Sequence, residues 1–359
     1  MELPPGYREF LAANDIDPRV YDAHATLPRY VRIVRAHSRP ASELAALAAE
    51  AAADAGCAVT PDTRVPGFLR IADARVRLAQ LRGYRRRDLA GIDISSGAAA
   101  WALGVRAGHN VLDLCCAPGA KLLLLSELVG AHGSVTGVDV AAHRLASCRA
   151  MVRRHASRHV VRLFLDDGTA FARGAPQAGW WDPQQQRGFQ QNGIQQNDSP
   201  PPWFAARLLR SPFASAGAAP YDRVLVDAEC THDGSLAHVH KHAGADALDR
   251  VAARAAHAPA LQLQLLENGW RLLRARGVLV YSTCSLTTAQ NELVLARFLA
   301  AHPPDQACVE PLPLADLAAL PPRPVPDADV TERMRPAARL DPRVSDTSGM
   351  FIARIRKLK

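Results

Sequence analysis

The feature that most limits what this chain can fold into is a change of rhythm at His109, after which short apolar runs alternate with amphipathic stretches. Residues 109–114, 134–139 and 159–165 read as strands. Residues 121–128, closed by Gly130, and the basic residues 144–155 read as the helices between them. Near-continuous apolar strands separated by helical patterns imply a parallel sheet with helices on both faces. The pattern resumes with a strand at 221–227, a long helix over about residues 246–275, and a strand at 277–283 opened by Gly277, which ends that helix. A helix over 287–299 packs behind it, residues 303–326 read as Pro-rich linker, and the alternating segment 349–355 is expected as an edge strand.

Ligands of such sheets sit outside the carboxyl ends of the strands. The loop Cys115-Cys-Ala-Pro-Gly-Ala-Lys121 follows the first strand, Asp139 ends the second, Asp166-Asp-Gly-Thr169 follows the third, and Asp227 ends the fourth. Cys230 lies just past the fourth strand and Cys284 just past the fifth, so both thiols are expected in one crevice. The first loop matches neither Gly-x-Gly-x-x-Gly nor Gly-x-x-x-x-Gly-Lys-Ser/Thr, which weakens a dinucleotide reading and excludes a standard phosphate loop. Its amides at the helix start are placed to approach a cofactor, with Gly119 leaving room; taken alone, it is a tight turn around a buried proline. Asp139 follows Cys115 at roughly the ~20-residue spacing at which an acid takes a ribose hydroxyl pair. Each carboxylate singly is an ordinary turn former. Together they suggest an adenosine cofactor bearing a positive group, for which S-adenosylmethionine fits better than a nicotinamide.

A chain of 359 residues with 48% hydrophobic content has room for one large domain and one smaller one. We place the smaller at residues 1–100, with a strand at 29–34, an Ala-rich helix over 42–55 capped by Ser42, and a second strand at 67–72. Residues 75–82 read equally as helix or strand. The larger domain is residues 101–359, interrupted at about 174–220 by a Gln- and Pro-rich insertion with too little apolar surface to build a core. Trp180, Trp181, Trp203 and Phe204 are the insertion's candidate anchors to the body. The net charge of +8 rests almost wholly on arginine, which suits phosphate and base recognition and equally reflects a GC-rich codon usage. The cluster Arg82-Gly-Tyr-Arg-Arg-Arg87 is either a phosphate contact or a solvated face. Seven cysteines without regular spacing argue against a disulfide framework, and no ligand spacing suggests zinc, so no metal is expected. No apolar run reaches the ~18 residues of a membrane span, and no presequence is visible, which favours cytoplasm or nucleus and nucleolus, with an organelle left open.

On these residues the chain resembles the Sun-type (NSUN/RsmB) RNA cytosine-C5 methyltransferases over residues 27–358. Asp-Leu-Cys-Cys-Ala-Pro-Gly-Ala-Lys121 is similar to that family's Asp-Leu-Cys-Ala-Ala-Pro-Gly-Gly-Lys, and Val280-Tyr-Ser-Thr-Cys-Ser-Leu286 with Gln290-Asn-Glu292 is similar to its Tyr-Ser-Thr-Cys-Ser motif. The resemblance implies an α/β, Rossmann-like class I methyltransferase sheet with a small N-terminal α+β domain that helps hold RNA. It implies S-adenosylmethionine bound by Cys115, Cys116, Ala117, Pro118, Gly119, Ala120, Lys121, Asp139, Asp167 and Asp227. It further implies Cys284 as nucleophile and Cys230 as the second, product-releasing cysteine. Asp227 is also read as a hydrogen-bonding partner of the base. The expected partner is RNA, either rRNA or tRNA, with pre-ribosomal particles as a further partner, no membrane, and a monomeric state.

The family's Asp-Ala-Pro-Cys-Ser-Gly becomes Asp227-Ala-Glu-Cys-Thr-His-Asp-Gly-Ser235 in this chain. Glu229 removes a proline and places a carboxylate beside the Cys230 thiol, which is expected to raise its pKa. Ala120 and Cys116 are smaller departures. An amino-group methyltransferase would show an Asn/Asp-Pro-Pro-Tyr/Phe element after the fourth strand, and Asp227-Ala-Glu-Cys230 lacks it. The remaining alternative is a catalytically silent RNA-binding factor of ribosome assembly that keeps the fold.

Overall fold

The computed structural model describes residues 3–155, 160–176, 203–205, 219–241, 245–314 and 316–359. Those residues form a four-stranded and a nine-stranded sheet. The smaller, antiparallel sheet runs in the order β2-β3-β1-β4, with β1 Arg29–Ile33, β2 Val59–Asp62, β3 Phe68–Ile71 and β4 Leu89–Gly91. The helix Ala41–Ala55 packs on it through Leu47, Ala48 and Ala51, at helical spacing on one face. Its N-cap is Pro40 rather than Ser42, and Gly56 ends it in the left-handed conformation, φ 65°. The ambiguous residues 75–82 resolve into a 3₁₀ turn, Leu78–Gln80, leading into the short helix Arg82–Arg86.

The larger sheet comprises β5 Asn110–Asp113, β6 Ser134–Asp139, β7 Val161–Leu165, β8 Phe204–Ala205, β9 Tyr221–Asp227, β10 Leu273–Thr283, β11 Ala307–Glu310, β12 Ala338–Leu340 and β13 Met350–Lys357. Its order is β11-β13-β10-β9-β5-β6-β7-β8, with β12 also paired to β13. The five strands from β10 to β7 are mutually parallel. Alternate residues of β5 feed opposite faces. Val111 packs with Leu122 and Leu125 of the helix Ala120–Leu128, while Leu112 packs with Leu265 and Leu266 of the helix Ala245–Leu272. Burial on both faces is why these strands read as unbroken apolar runs.

Several expectations are corrected. The helix over 246–275 stops at Leu272, and Gly277 lies within β10, where the pairing with β9 shifts register between Leu273 and Val278. The helix behind β10 begins at Glu292 rather than at residue 287, because Thr287 and Asn291 are engaged in a hydrogen-bonded turn. The Pro-rich linker contains β11, and β13 is no edge: β10 flanks one side, and β11 and β12 the other. Within the insertion, Trp203 and Phe204 pack on the core, with Arg149 4.8 Å over the Trp203 ring, and β8 pairs with β7. Trp180 and Trp181, most of the insertion and the strand start at His159 lie outside the described residues.

The two sheets are joined by polar contacts. Arg32 on β1 forks onto Glu127 at 2.7 and 2.8 Å, both side chains 2% exposed, and Tyr30 donates to the carbonyl of Asp346 at 2.9 Å. The N-terminal segment sits elsewhere: Tyr7, Phe10, Leu11 and Val20 share a core with Leu236, Val239 and Leu286. No helix among the described residues is long and apolar enough to cross a membrane.

Candidate active site

The carboxyl ends of β5, β6, β7, β9 and β10 surround a cleft of roughly 630 Å³. Cys115, Ala117, Pro118, Lys121, Asp139, Asp167, Asp227 and Cys284 line it, whereas Cys116, Gly119, Ala120 and Cys230 do not. The loop after β5 explains the division. Gly119 has φ 111°, and a Cβ there would lie 3.1 Å from the Cys148 Cα, so glycine is needed for the turn and for close packing of the helix Ala142–Arg154. Cys116 packs inward against the same helix.

Asp139 holds the turn in place. One carboxylate oxygen accepts from the Ala117 amide at 3.2 Å and the other from Ala141 at 3.0 Å, while Arg144 donates to the Ala117 carbonyl at 2.8 Å. Asp167 is exposed and caps its own loop by accepting from the amide and hydroxyl of Thr169, both at 2.8 Å. Asp227 is fixed from two sides, by Lys121 Nζ at 2.8 Å and by the Ser282 hydroxyl at 2.7 Å. Lys121 also donates to Ser96 at 3.1 Å. Burial opposes the charge on Lys121, but the Asp227 carboxylate outweighs it and the pKa is raised. Beneath them Asp113 is 1% exposed; burial, reinforced by the charge of Asp227, pushes its carboxyl up to about 8.

β9 and β10 are paired neighbours, with Asp227 opposite Ser282, so the loops that follow bring the two cysteines together. Their sulfurs are 3.4 Å apart, with Cys284 facing the cleft and Cys230 sealed behind it at 1% exposure. Gln290 ties the loops by accepting from the Thr231 amide at 3.1 Å and donating to the Thr231 hydroxyl at 2.8 Å. Buried Asp233 accepts from the Thr231 hydroxyl and, at 2.6 Å, from the Leu286 amide. Gly234 donates to the Cys284 carbonyl at 2.8 Å, and a Cβ there would lie 2.6 Å from that oxygen. Glu292 anchors the far end through a buried pair with Arg339 at 2.8 Å.

The expectation that Glu229 raises the Cys230 pKa is overturned. Glu229 is exposed on the cleft wall, and the Cys230 thiol is pushed well down by its hydrogen bond with Cys284, against burial and with help from His232. Cys284, half-buried on the cleft wall, is pushed up by its contact with Cys230 and then by desolvation. His232 sits 3.1 Å from the Cys284 sulfur through Nδ1 and 3.7 Å from Cys230. Sequence reasoning passed over it, although it stands where the resembled motif ends in glycine. Ser96, Asp113 and Arg144 were also missed, and nothing in their local pattern marked them. A tetrahedral zinc ion would hold two sulfurs about 3.8 Å apart and a sulfur and nitrogen about 3.6 Å apart. The two sulfurs at 3.4 Å, and Nδ1 with the Cys284 sulfur at 3.1 Å, stand closer than that, as hydrogen-bonded groups do, while Nδ1 and the Cys230 sulfur are 3.7 Å apart. Away from the cleft, Arg82 pairs with Asp54, and Arg86 with Glu50 and Asp88, so much of that basic run is neutralised locally.

Residues 100–175 and 208–356 match the family described as 16S rRNA methyltransferase RsmB/F. The chain is 31% identical to ribosomal RNA small subunit methyltransferase B of Xanthomonas campestris pv. campestris over 76% of its length and 50% of that protein's. It is 30% identical to 5-cytosine rRNA methyltransferase NSUN4 of Xenopus laevis over 55% of its length and 38% of that protein's. The chain thus spans about half the length, or less, of the curated relatives it matches. Among solved structures, a methyltransferase homologue from Pyrococcus horikoshii shares the fold with a TM-score of 0.65 at 22% identity, covering 99% of this chain and 100% of that one. NSun6 from the same organism gives 0.65 at 15% identity, covering 99% and 98%. With its family-specific core matched across both parts of the larger sheet, the chain belongs to the RsmB/F family of 16S rRNA methyltransferases.

Proposed function

We propose that this chain transfers a methyl group from S-adenosylmethionine to carbon 5 of a cytosine in RNA, rRNA before tRNA, through a covalent bond to Cys284. The observation that carries this reading is the pair of sulfurs 3.4 Å apart at the ends of adjacent parallel strands, one of them facing the cleft that the Ala117-Pro118 turn also lines. A cleft of roughly 630 Å³ is of the size that holds a cofactor and part of a substrate. When bound, S-adenosylmethionine supplies an electrophilic methyl group on a sulfonium. The lining turn residues, the exposed carboxylate of Asp167 and the buried Asp139 that also lines the cleft suit the adenosine and amino groups of such a molecule.

Carbon 5 of cytosine is a weak nucleophile, so a thiolate must first add at carbon 6. Cys284 is the thiol on the cleft wall and takes that role. Asp227, held by Lys121 and Ser282, hydrogen-bonds the base edge or its protonated ring nitrogen. Cys230, hydrogen-bonded to the Cys284 sulfur, assists the later elimination that removes the carbon-5 proton and breaks the bond to sulfur. The four-stranded sheet and the arginine-rich surface hold the RNA, and a base within a helix must be flipped out or already unpaired.

The test is incorporation of radiolabelled methyl into ribosomal RNA, with bisulfite sequencing to identify the product. The expected result is a 5-methylcytosine that disappears with Cys284→Ala while cofactor binding persists. Full activity in that variant would remove Cys284 as nucleophile, and cofactor binding without any methyl transfer by the unaltered chain would favour a silent assembly factor.

A further inference from the structure

His232 occupies a backbone conformation that disfavours it. Its φ is 58°, in the left-handed region, where a residue other than glycine is strained. The resembled motif carries glycine there. The chain has instead spent that conformation on an imidazole whose Nδ1 lies 3.1 Å from the Cys284 sulfur and 3.7 Å from that of Cys230, with the ring on the wall of the cleft. The flanking residues Thr231 and Asp233 are both buried and bonded to the loop that carries Cys284, so the ring is aimed by the same contacts that bring the thiols together.

We propose that His232 is the proton acceptor that lets the two-cysteine centre carry a thiolate at neutral pH. This rests on the reading of Cys284 as nucleophile. The step is a proton transfer alone: an S–H bond of the thiol pair breaks, its electron pair stays on sulfur, and the proton forms the N–H of an imidazolium on His232. The charge belongs to the hydrogen-bonded pair rather than to one sulfur, so its first ionisation is a property of the cluster. Papain-type enzymes activate a cysteine with the same two functional groups.

The groups that face this cluster are Asp227 and Glu229 from the end of β9, Lys121 from the helix after the turn, Arg254 from the long helix, and buried Asp233. The ring of His238 lies 5.2 Å away. The balance among them supports the assignment: the His232 pKa is raised, chiefly by its hydrogen bond to Cys230 and against burial, with Arg254 opposing and Asp227 assisting.

The experiment compares the full chain with His232→Gly and His232→Asn, in chelator-containing buffer, across pH 5–10. It reads thiolate absorbance and the rate of iodoacetamide addition to Cys230 and Cys284 by peptide mass spectrometry. Glycine relieves the left-handed backbone and asparagine tolerates it, so both variants should fold, which circular dichroism checks. The expected result is that first ionisation moves up by at least one pH unit and alkylation at pH 7 falls at least tenfold in both variants. An unchanged ionisation and alkylation profile in the glycine variant overturns the proposal. Neither readout needs RNA or cofactor, so the outcome is separable from whether the protein methylates cytosine.

Discussion

Lys121 Nζ lies 2.8 Å from Asp227 Oδ2, pinning the carboxylate at the end of β9 to the helix that follows the Ala117-Pro118-Gly119 turn. The second oxygen of Asp227 accepts from Ser282 at 2.7 Å, so β10 and the helix Ala120–Leu128 both bear on the carboxylate that ends β9. Replacing Lys121 with Met keeps the length of the stem and removes the ammonium, leaving Asp227 without its counter-charge in a partly buried site. We expect methyl transfer to fall about 10²-fold, within the range for lost electrostatic organisation of an active site. The folded state should lose about 1–3 kcal/mol. Steady-state kinetics and thermal melts check both, and unchanged turnover with lowered stability would make the pair a scaffold only.

Cys230 is sealed behind Cys284, so its removal should leave the attacking sulfur accessible. Cys230→Ala is expected to accumulate a covalent protein–RNA adduct, visible as a retarded band on denaturing gels, because addition outruns release. Turnover should drop by at least about 10²-fold, the usual size of a general acid–base contribution. Normal turnover with no adduct would mean that Cys230 serves packing.

The strand ends were legible because β5, β6 and β9 are buried on both faces and read as apolar runs, which also placed Asp139, Asp227 and Cys284 around one crevice, whereas Cys230, expected there too, is sealed behind Cys284. Side-chain direction was not. Chain position brings the whole loop after β5 to the crevice, yet Cys116 and Gly119 turn toward the helix Ala142–Arg154, a fact of packing that no local pattern carries. β13 reads as an edge because its own residues alternate, and the strands that cover its far side, β11 and β12, are too short to stand out in the sequence. The turn before Glu292 reads as helix because no proline or glycine in residues 287–291 separates it from the helix that follows, whereas the Thr287 hydroxyl accepts from the Gln290 amide at 3.3 Å and holds a turn. His232 is a single loop histidine with no pattern of its own; only its place at the glycine of the resembled motif marks it.

Asp113 offers a test through pH. Its carboxyl is raised to about 8 by burial and then by Asp227, while in the unfolded chain it titrates near 4. The folded state therefore holds a proton that the unfolded state has lost across that interval, so this contribution to stability is complete below pH 4, declines as pH rises, and is gone above about pH 8. Asp113→Asn keeps the shape and removes the ionisation. The variant should show a flatter dependence of melting temperature on pH between 5 and 8 than the unaltered chain, and parallel curves would contradict a raised Asp113.

The ion pair between Arg32 and Glu127 sets the small sheet against the large one, since Arg32 lies on β1, Glu127 lies on the helix after the turn, and both are 2% exposed. A buried pair of this kind adds little net stability but is costly to break from one side, because the surviving charge is left out of water. The Arg35 amide donates to Glu127 at 2.8 Å, which offsets only part of that penalty. Arg32→Ala should therefore destabilise by about 3–5 kcal/mol in urea unfolding, whereas Arg32→Met combined with Glu127→Leu should recover most of the loss. If the double variant is as unstable as the single one, the contact depends on specific hydrogen-bond geometry rather than on charge burial. In that case RNA affinity, measured on both variants, should fall together with stability, because the small sheet would have lost its fixed orientation beside the cleft.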